Sequence, residues 1–509
     1  MKRSEALDAV ELLHSRKSSL PDPEPPPETS LLFFQRRRFL EIGLLVILAG
    51  AALVLRLWPL QIAHWWDEAA YLQNAEFLFF GKTNYTELDF RPPLLSVLFG
   101  LSFLLWHNVM AASIVVAALN TLGVLFLAAV ARLLYGPAAG LIAGVFLGLS
   151  PFFAETGRTL MTDNPALSLL ILSFFFVVSG SRKESLPRFL AAGVFLGAAG
   201  LMRFASLHSA LPLLLLVWQG PRRRSRVAVW TAGLAVSFGP YLVWSHVHLG
   251  SWWGGLQKAS RMVGDANESY AFYFLNLGEL FSWAAMAGLA LWLLVCVASS
   301  FVEFRRVSEG WNLLVRPLSR APEFRQDFLL LFWLLWLLAY FTYVPHKELR
   351  YLAPAALPLF LLAAHGWSRA LRICPGSRRI AASVVLAAAV AWHSAPAFTR
   401  FEESFLNTQL TDEVAASQFV ESLPRRPDMV LYVNFNMPVF GYYTRLPIRT
   451  LEPADDSFFQ EFPRNMPADG YVVLYKEARQ PTPEWADGNL RFQRLREFLS
   501  LVVYEYKHF

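Results

Sequence analysis

The sequence predicts an all-α polytopic membrane bundle followed by a small α/β domain. Three observations carry this reading. Hydrophobic residues make up 55% and charged residues only 17% of the 509 positions, whereas a soluble chain carries about a quarter charged residues. The mean hydropathy is +0.38. Apolar runs near the ~20-residue length of a membrane-crossing helix recur along most of the chain and then stop near Ala397.

The elements follow in order. Residues 1–35 are polar and contain the run Pro21–Glu28 (PDPEPPPE), which reads as a disordered cytoplasmic tail. A first span from Phe39 to Leu60 follows Arg36, Arg37 and Arg38, and basic residues before a first span favour a cytoplasmic N-terminus. No cleavage site of the signal-peptide type precedes this span, so it is expected to be retained. The polar loop 61–93 then lies outside.

The next apolar stretch, Leu94–Trp106, is short for a crossing, and charge decides its treatment. If it lies along the outer interface, spans near 109–131, 138–154, 165–180, 188–206, 208–219, 227–247, 280–300, 327–344, 351–366 and 380–396 follow. Arg132, Arg182 with Lys183, Arg222–Arg226, Arg305 with Arg306, and Arg369–Arg379 then all fall on the cytoplasmic side. The expectation is about eleven crossings and one juxtamembrane segment. Span 208–219 is too short as drawn and must extend. Residues 36–397 form the expected membrane catalytic domain, and 398–509 an extracytoplasmic α/β domain. In the latter, 411–423 reads as an amphipathic helix, with strands at Met429–Phe435 and Gly470–Lys476.

Composition also narrows function. The net charge is +6, but the basic residues form short loop clusters, which fits topology better than nucleic-acid binding. Two cysteines, Cys296 and Cys374, supply neither a disulfide framework nor a thiol metal site. No HExxH or paired-cysteine spacing occurs, so no dedicated metal cage is expected. A divalent ion held loosely between a carboxylate and a phosphate stays compatible with these residues.

The expected topology gathers four charged clusters on the outer face. They are Asp67 and Glu68 within Trp65–Tyr71 (WWDEAAY), Arg91 within Arg91–Pro93, Asp163 within Thr162–Asn164, and His346, Lys347 and Arg350 within His346–Tyr351 (HKELRY). Charge at a bilayer is costly and marks sites. Arg91, Lys347 and Arg350, with His346 as a further donor, suit the phosphate of a lipid-linked donor, and arginine grips phosphate with a planar fork. Cations there also stabilise a departing phosphate. An acceptor hydroxyl must lose a proton, a task for Asp67 or Glu68, with Asp163 assisting or positioning the acceptor. The plainer readings are loop charges for Asp67 and Glu68, an N-cap for Asp163, and interface anchors for Arg91, His346 and Lys347. Trp252 and Trp253 read as an aromatic belt, and Arg203, near the outer end of its span, either serves a phosphate or snorkels.

These motifs resemble a family. A DE pair followed by AxY, then RPP, then TDN-P before a span is similar to the GT-C integral-membrane glycosyltransferases, in the branch of protein O-mannosyltransferases and lipid A aminoarabinose transferases. HKELRY resembles a box of mannosyltransferases that use dolichyl-phosphate-mannose. The resemblance covers residues 39–400 or so. It implies a multi-span bundle with its active site on the outer face, a polyprenyl-phosphate sugar as donor, Asp67 as base, and a protein, glycan or lipid acceptor. Arg91 stands where lipid A transferases carry a lysine after an acidic residue. Here Phe90 precedes it and Asp89 is one place further back. The implied place is a bacterial inner membrane. Two other readings remain to be separated: a transporter or flippase for a lipid-linked sugar, whose charges normally sit at mid-membrane, and a membrane scaffold whose tail binds a partner.

Overall fold

The computed structural model describes residues 28–57, 66–82, 86–262, 268–306, 322–374, 376–406, 411–451, 466–476 and 481–508. Most of the expected N-terminal tail, residues 1–27, lies outside them, as does Trp65. The chain forms two units, Met1–Ile47 and Leu48–Phe509. The first helix, Glu28–Leu57, begins within the stretch expected as tail.

Among the described residues, seven helices are long and apolar enough to cross a membrane: Phe39–Leu57, Val109–Tyr135, Asp163–Lys183, Arg223–Leu249, Gln326–Tyr343, Leu349–Ile373 and Gly376–Thr399. Five shorter apolar helices accompany them. Four of these, Pro137–Gly148, Leu186–Met202, Phe204–Val217 and Trp283–Val297, fall on the remaining expected crossings. The fifth, Leu94–Leu105, is the segment expected to be juxtamembrane. The chain is a multi-pass membrane protein.

Two spans are enclosed by the others. Asp163–Lys183 and Leu349–Ile373 are each 83% buried, against 17% for Gly376–Thr399. Small residues let the helices approach, because lipid supplies no hydrophobic drive between them and close packing must. A Cβ on Gly193 would lie 2.0 Å from the Trp230 carbonyl, and one on Gly366 would lie 2.0 Å from the Gly288 carbonyl. These glycines seat Leu186–Met202 on Arg223–Leu249 and Ala356–Ile373 on Trp283–Arg306.

After the long helix Gly376–Leu406 the chain changes character. Helix Asp412–Ser422 leads into a five-stranded sheet of order β2-β1-β3-β5-β4. The strands are β1 (Val430–Val433), β2 (Ile448–Thr450), β3 (Gly470–Tyr475), β4 (Phe492–Glu497) and β5 (Leu501–Tyr506). β1 runs parallel to β2 and β3, while β5 pairs antiparallel with β3 and β4. The period-two alternation sorts side chains to two cores. Tyr432, Val472, Leu474 and Tyr504 face one; Leu431, Val433, Val473 and Val503 face the other, with Val420 and Phe440. Because β1 and β3 are buried on both faces, they read in sequence as apolar runs.

Candidate active site

The polar site is assembled at helix ends. Asp67 lies in the first turn of helix Trp66–Phe80, and Asp163 in the first turn of helix Asp163–Lys183. Helix N-termini favour negative charge at both places. Arg203 caps the C-terminal end of Leu186–Met202 in extended backbone. Arg350 is the second residue of the 3-10 segment Leu349–Ala355, which follows Glu348 in extended conformation. Arg91 sits in the turn before helix Leu94–Leu105.

Asp67 joins two arginines from distant parts of the chain. Its Oδ1 lies 2.7 Å from Arg91 Nη2, and its Oδ2 lies 3.0 Å from Arg350 Nη2. Each arginine holds a second carboxylate. Arg91 Nε donates to Glu87, and Arg350 donates to Glu348 through Nε and, at 3.0 Å, through Nη2. Glu348 also accepts from the Tyr351 hydroxyl at 2.8 Å and lies 3.2 Å from His346 Nε2. Arg203 packs 4.7 Å from the Tyr351 ring centroid and pairs with Asp163 at 2.7 Å. Acids and arginines thus alternate from Glu87 through Arg91, Asp67 and Arg350 to Glu348, and Tyr351 joins this set to the Arg203–Asp163 pair.

Electrostatics follow the geometry. Burial pushes the Asp67 carboxyl up, but the guanidinium groups of Arg91 and Arg350 outweigh it and hold the group below its ordinary value of 3.8. Burial likewise opposes ionisation of Glu348, and the bonds from Arg350, Tyr351 and His346 reverse that effect and lower it. Burial works against the charge of Arg91, yet Tyr71, Asp67 and Glu87 raise its pKa above the ordinary value. The cluster is therefore a set of paired ions, open at Asp67, whose side chain is 26% exposed.

The other expected residues take different places. Glu68 is fully buried, and its carboxylate accepts the Leu160 N–H at 2.8 Å. Successive helical residues point about 100° apart, so neighbouring Asp67 and Glu68 face different surroundings. Asp163 is the first helical residue, and the cap position belongs to Thr162. Lys347 is buried, and its ammonium donates to the carbonyls of Glu268 at 2.9 Å and Pro345 at 3.4 Å, tying two loops together. His346 lies between Glu348 and Glu268. Among the described residues, no three His, Cys, Asp or Glu side chains gather as a metal site.

Sequence reasoning singled out neither Glu348 nor Glu87. Glu87 supplies the acid beside Arg91 and also accepts from Trp66 Nε1 at 2.9 Å, while Asn74 fixes its backbone N–H. Asp89, nearer in sequence, pairs instead with Lys258 at 2.8 Å on the exposed surface. The signal was the i,i+4 spacing of Glu87 and Arg91.

Comparison with known proteins agrees with this architecture. The family described as dolichyl-phosphate-mannose-protein mannosyltransferase matches residues 90–244. No curated protein matches the chain in sequence. Among solved structures, ArnT from Cupriavidus metallidurans bound to undecaprenyl phosphate is similar, with a TM-score of 0.65 and 15% identity over 92% of this chain and 97% of that one. The Archaeoglobus fulgidus oligosaccharyltransferase gives 0.57 and 11% over 86% of this chain and 69% of that one. The arabinofuranosyltransferase AftD from Mycobacteria gives 0.55 and 15% over 91% of this chain and 41% of that one. By fold, this membrane protein is similar to these three solved glycosyltransferase structures.

Proposed function

We propose that this protein transfers a sugar from a polyprenyl-phosphate carrier to an acceptor hydroxyl at the extracytoplasmic membrane face. The observation that carries the reading is the bridging of Arg91 and Arg350 by Asp67. Two guanidinium groups converging on one small anion form a cradle of the kind phosphate takes. Lipid phosphates bound to relatives support this: ArnT with undecaprenyl phosphate and the archaeal oligosaccharyltransferase AglB with dolichol-phosphate. The family description favours a mannose-like sugar. The basic loop clusters favour an outward-facing site, and the compact length without long insertions favours a bacterial inner membrane.

In this mechanism Asp67 holds the place that the donor phosphate takes between the two arginines. The incoming phosphate engages Arg91 and Arg350. Asp67, relieved of both cations in a half-buried setting, becomes the stronger base that an acceptor hydroxyl needs. The acceptor oxygen bonds to the anomeric carbon, the bond from that carbon to the phosphate oxygen breaks, and its electron pair leaves with the polyprenyl phosphate. The acceptor proton goes to Asp67. The arginines stabilise the departing charge, and Glu87 and Glu348 hold them in place. Glu68 supports the 156–162 loop through Leu160, and Asp163 with Arg203 lines the acceptor side.

The test is transfer from a radiolabelled polyprenyl-phosphate sugar by purified protein. Wild type transfers label, and Asp67→Asn loses it by at least about 10²-fold, the usual weight of a general base. A wild-type protein that binds the lipid without transferring from any such donor would refute the reading.

A further inference from the structure

The C-terminal sheet region touches the helix that carries Asp67. The loop after β1, Asn434–Asn436, brings Phe435 to 6.2 Å from Trp66 between ring centroids. Helix Met437–Tyr443 follows. Its Pro438 carbonyl accepts from Gln73 Nε2 at 2.9 Å, and its Tyr442 carbonyl accepts from Lys82 Nζ at 3.2 Å. Gly441 makes this fit possible: a Cβ there would lie 2.0 Å from Gln73 Nε2. Gln73 is 2% exposed, so its amide has little room to move without giving up the Pro438 bond.

The same helix reaches the catalytic cluster from its other side. Asn74, next to Gln73, accepts the Glu87 N–H at 2.9 Å, and Trp66 donates to Glu87 at 2.9 Å. Glu87 holds Arg91, and Arg91 holds Asp67. Trp66 is thus shared: its ring meets Phe435, and its N–H fixes Glu87. A displacement of this helix by the sheet region moves Asp67 directly and Arg91 through Glu87.

The geometry points to a positioning role for the C-terminal region: the contact of Gly441 and Pro438 with Gln73 sets the register of helix Trp66–Phe80, and with it the spacing of Asp67 and Arg91. Gln73 and Gly441 act as positioning residues without touching substrate. This inference rests on the proposed transferase reading, because it concerns the same cluster. Misplacement of a reacting group by about 1 Å is enough to cost up to 10²-fold in rate.

The experiment compares Gln73→Met, Gly441→Ala and the double variant in full-length protein. It reads transfer of a radiolabelled polyprenyl-phosphate sugar, the dissociation constant for polyprenyl phosphate, and the thermal midpoint. Gln73→Met keeps the side-chain volume and removes the bond to Pro438. Gly441→Ala drives the Gln73 amide off the same carbonyl. Each single variant is expected to lose roughly tenfold in kcat/KM. Affinity for polyprenyl phosphate should weaken alongside. The double variant should lose no more than either single one, because all three break one contact. Singles that lower the thermal midpoint while keeping wild-type kcat/KM and affinity would make the contact merely structural and overturn the inference. Losses that multiply in the double variant would overturn it too. Should Gly441→Ala not fold, Gln73→Met alone decides the matter by the same readouts. An inactive wild type would count against the transferase reading, and lipid-phosphate affinity would still test the positioning role.

Discussion

Two carboxylates in this molecule sit inside rings of donors, one at each end of the same enclosed span. Near one end, Asp67 faces Arg350. Near the other, Asp327 receives the Tyr135 hydroxyl at 2.6 Å and Trp292 Nε1 at 2.9 Å, with His365 Nδ1 at 3.0 Å. Tyr135 and His365 stack at 3.9 Å. Arg350 and His365 are separated by roughly 20 Å of helix at 1.5 Å per residue. The difference lies in exposure and charge. The Asp327 side chain is 3% exposed, and its partners are mostly neutral and come from three helices other than its own. Asp67 is 26% exposed and meets two full cations. A satisfied, closed ring ties helices together; a half-open ring of full charges can exchange one anion for another.

The comparison can be broken by substitution. The largest effect is expected at Arg350. Arg350→Met removes one arm of the cradle and one stabilising donor, so transfer should fall about 10²–10³-fold, measured as kcat/KM for the lipid donor. A rate unchanged at all donor concentrations would remove Arg350 from the site. Asp327→Ala should act in the other direction. Breaking the buried cluster is expected to cost about 3 kcal/mol of stability, seen as a lower thermal midpoint, while transfer per folded molecule stays at the wild-type level. Loss of turnover without loss of stability would erase the distinction between the two rings.

A third test reads pH. Asp67 acts as its ionised form, so activity is present above its pKa and lost as the pH falls through it. In wild type that carboxyl lies below 3.8, and the acid limb of kcat/KM should lie correspondingly low. Arg91→Gln removes one of the two cations and leaves burial, which raises the group. The acid limb should therefore move to higher pH. A limb that stays put, or moves lower, would assign the titration to another residue. The smallest effect is expected at Asp89→Ala, which breaks only the exposed pair with Lys258. Stability should change by less than about 0.5 kcal/mol and transfer not at all.

Sequence and structure agree best where physics is one-dimensional. Span positions follow from apolar length, and each expected crossing has its helix. The convergence of Asp67, Arg91 and Arg350 was legible because bare charges at span ends have few places to go except toward each other. Direction was harder. Lys347 shares a motif with Arg350, yet two residues later in an extended-to-3-10 turn the chain has swung, and its ammonium ends on the carbonyls of Glu268 and Pro345. Glu68 adjoins Asp67 and is turned to Leu160 by helical geometry. The pairing of Asp163 with Arg203 links two helix ends that no local pattern connects. Strands β1 and β3 were readable as β-branched runs, but β4, with polar residues on one face and a bulge at Arg494 to Arg496, was not. The docking of Gly441 on Gln73 has no local signature, since a glycine in sequence does not reveal what approaches it.

The central claim is that Asp67 occupies the arginine cradle that the donor phosphate takes over. The most direct measurement is the affinity of purified Asp67→Asn protein for polyprenyl phosphate, made beside its transfer rate. With the competing carboxylate neutralised, the lipid phosphate should bind at least as tightly as to wild type while transfer is lost. Weaker binding of the phosphate, or transfer retained near the wild-type rate, would contradict the account.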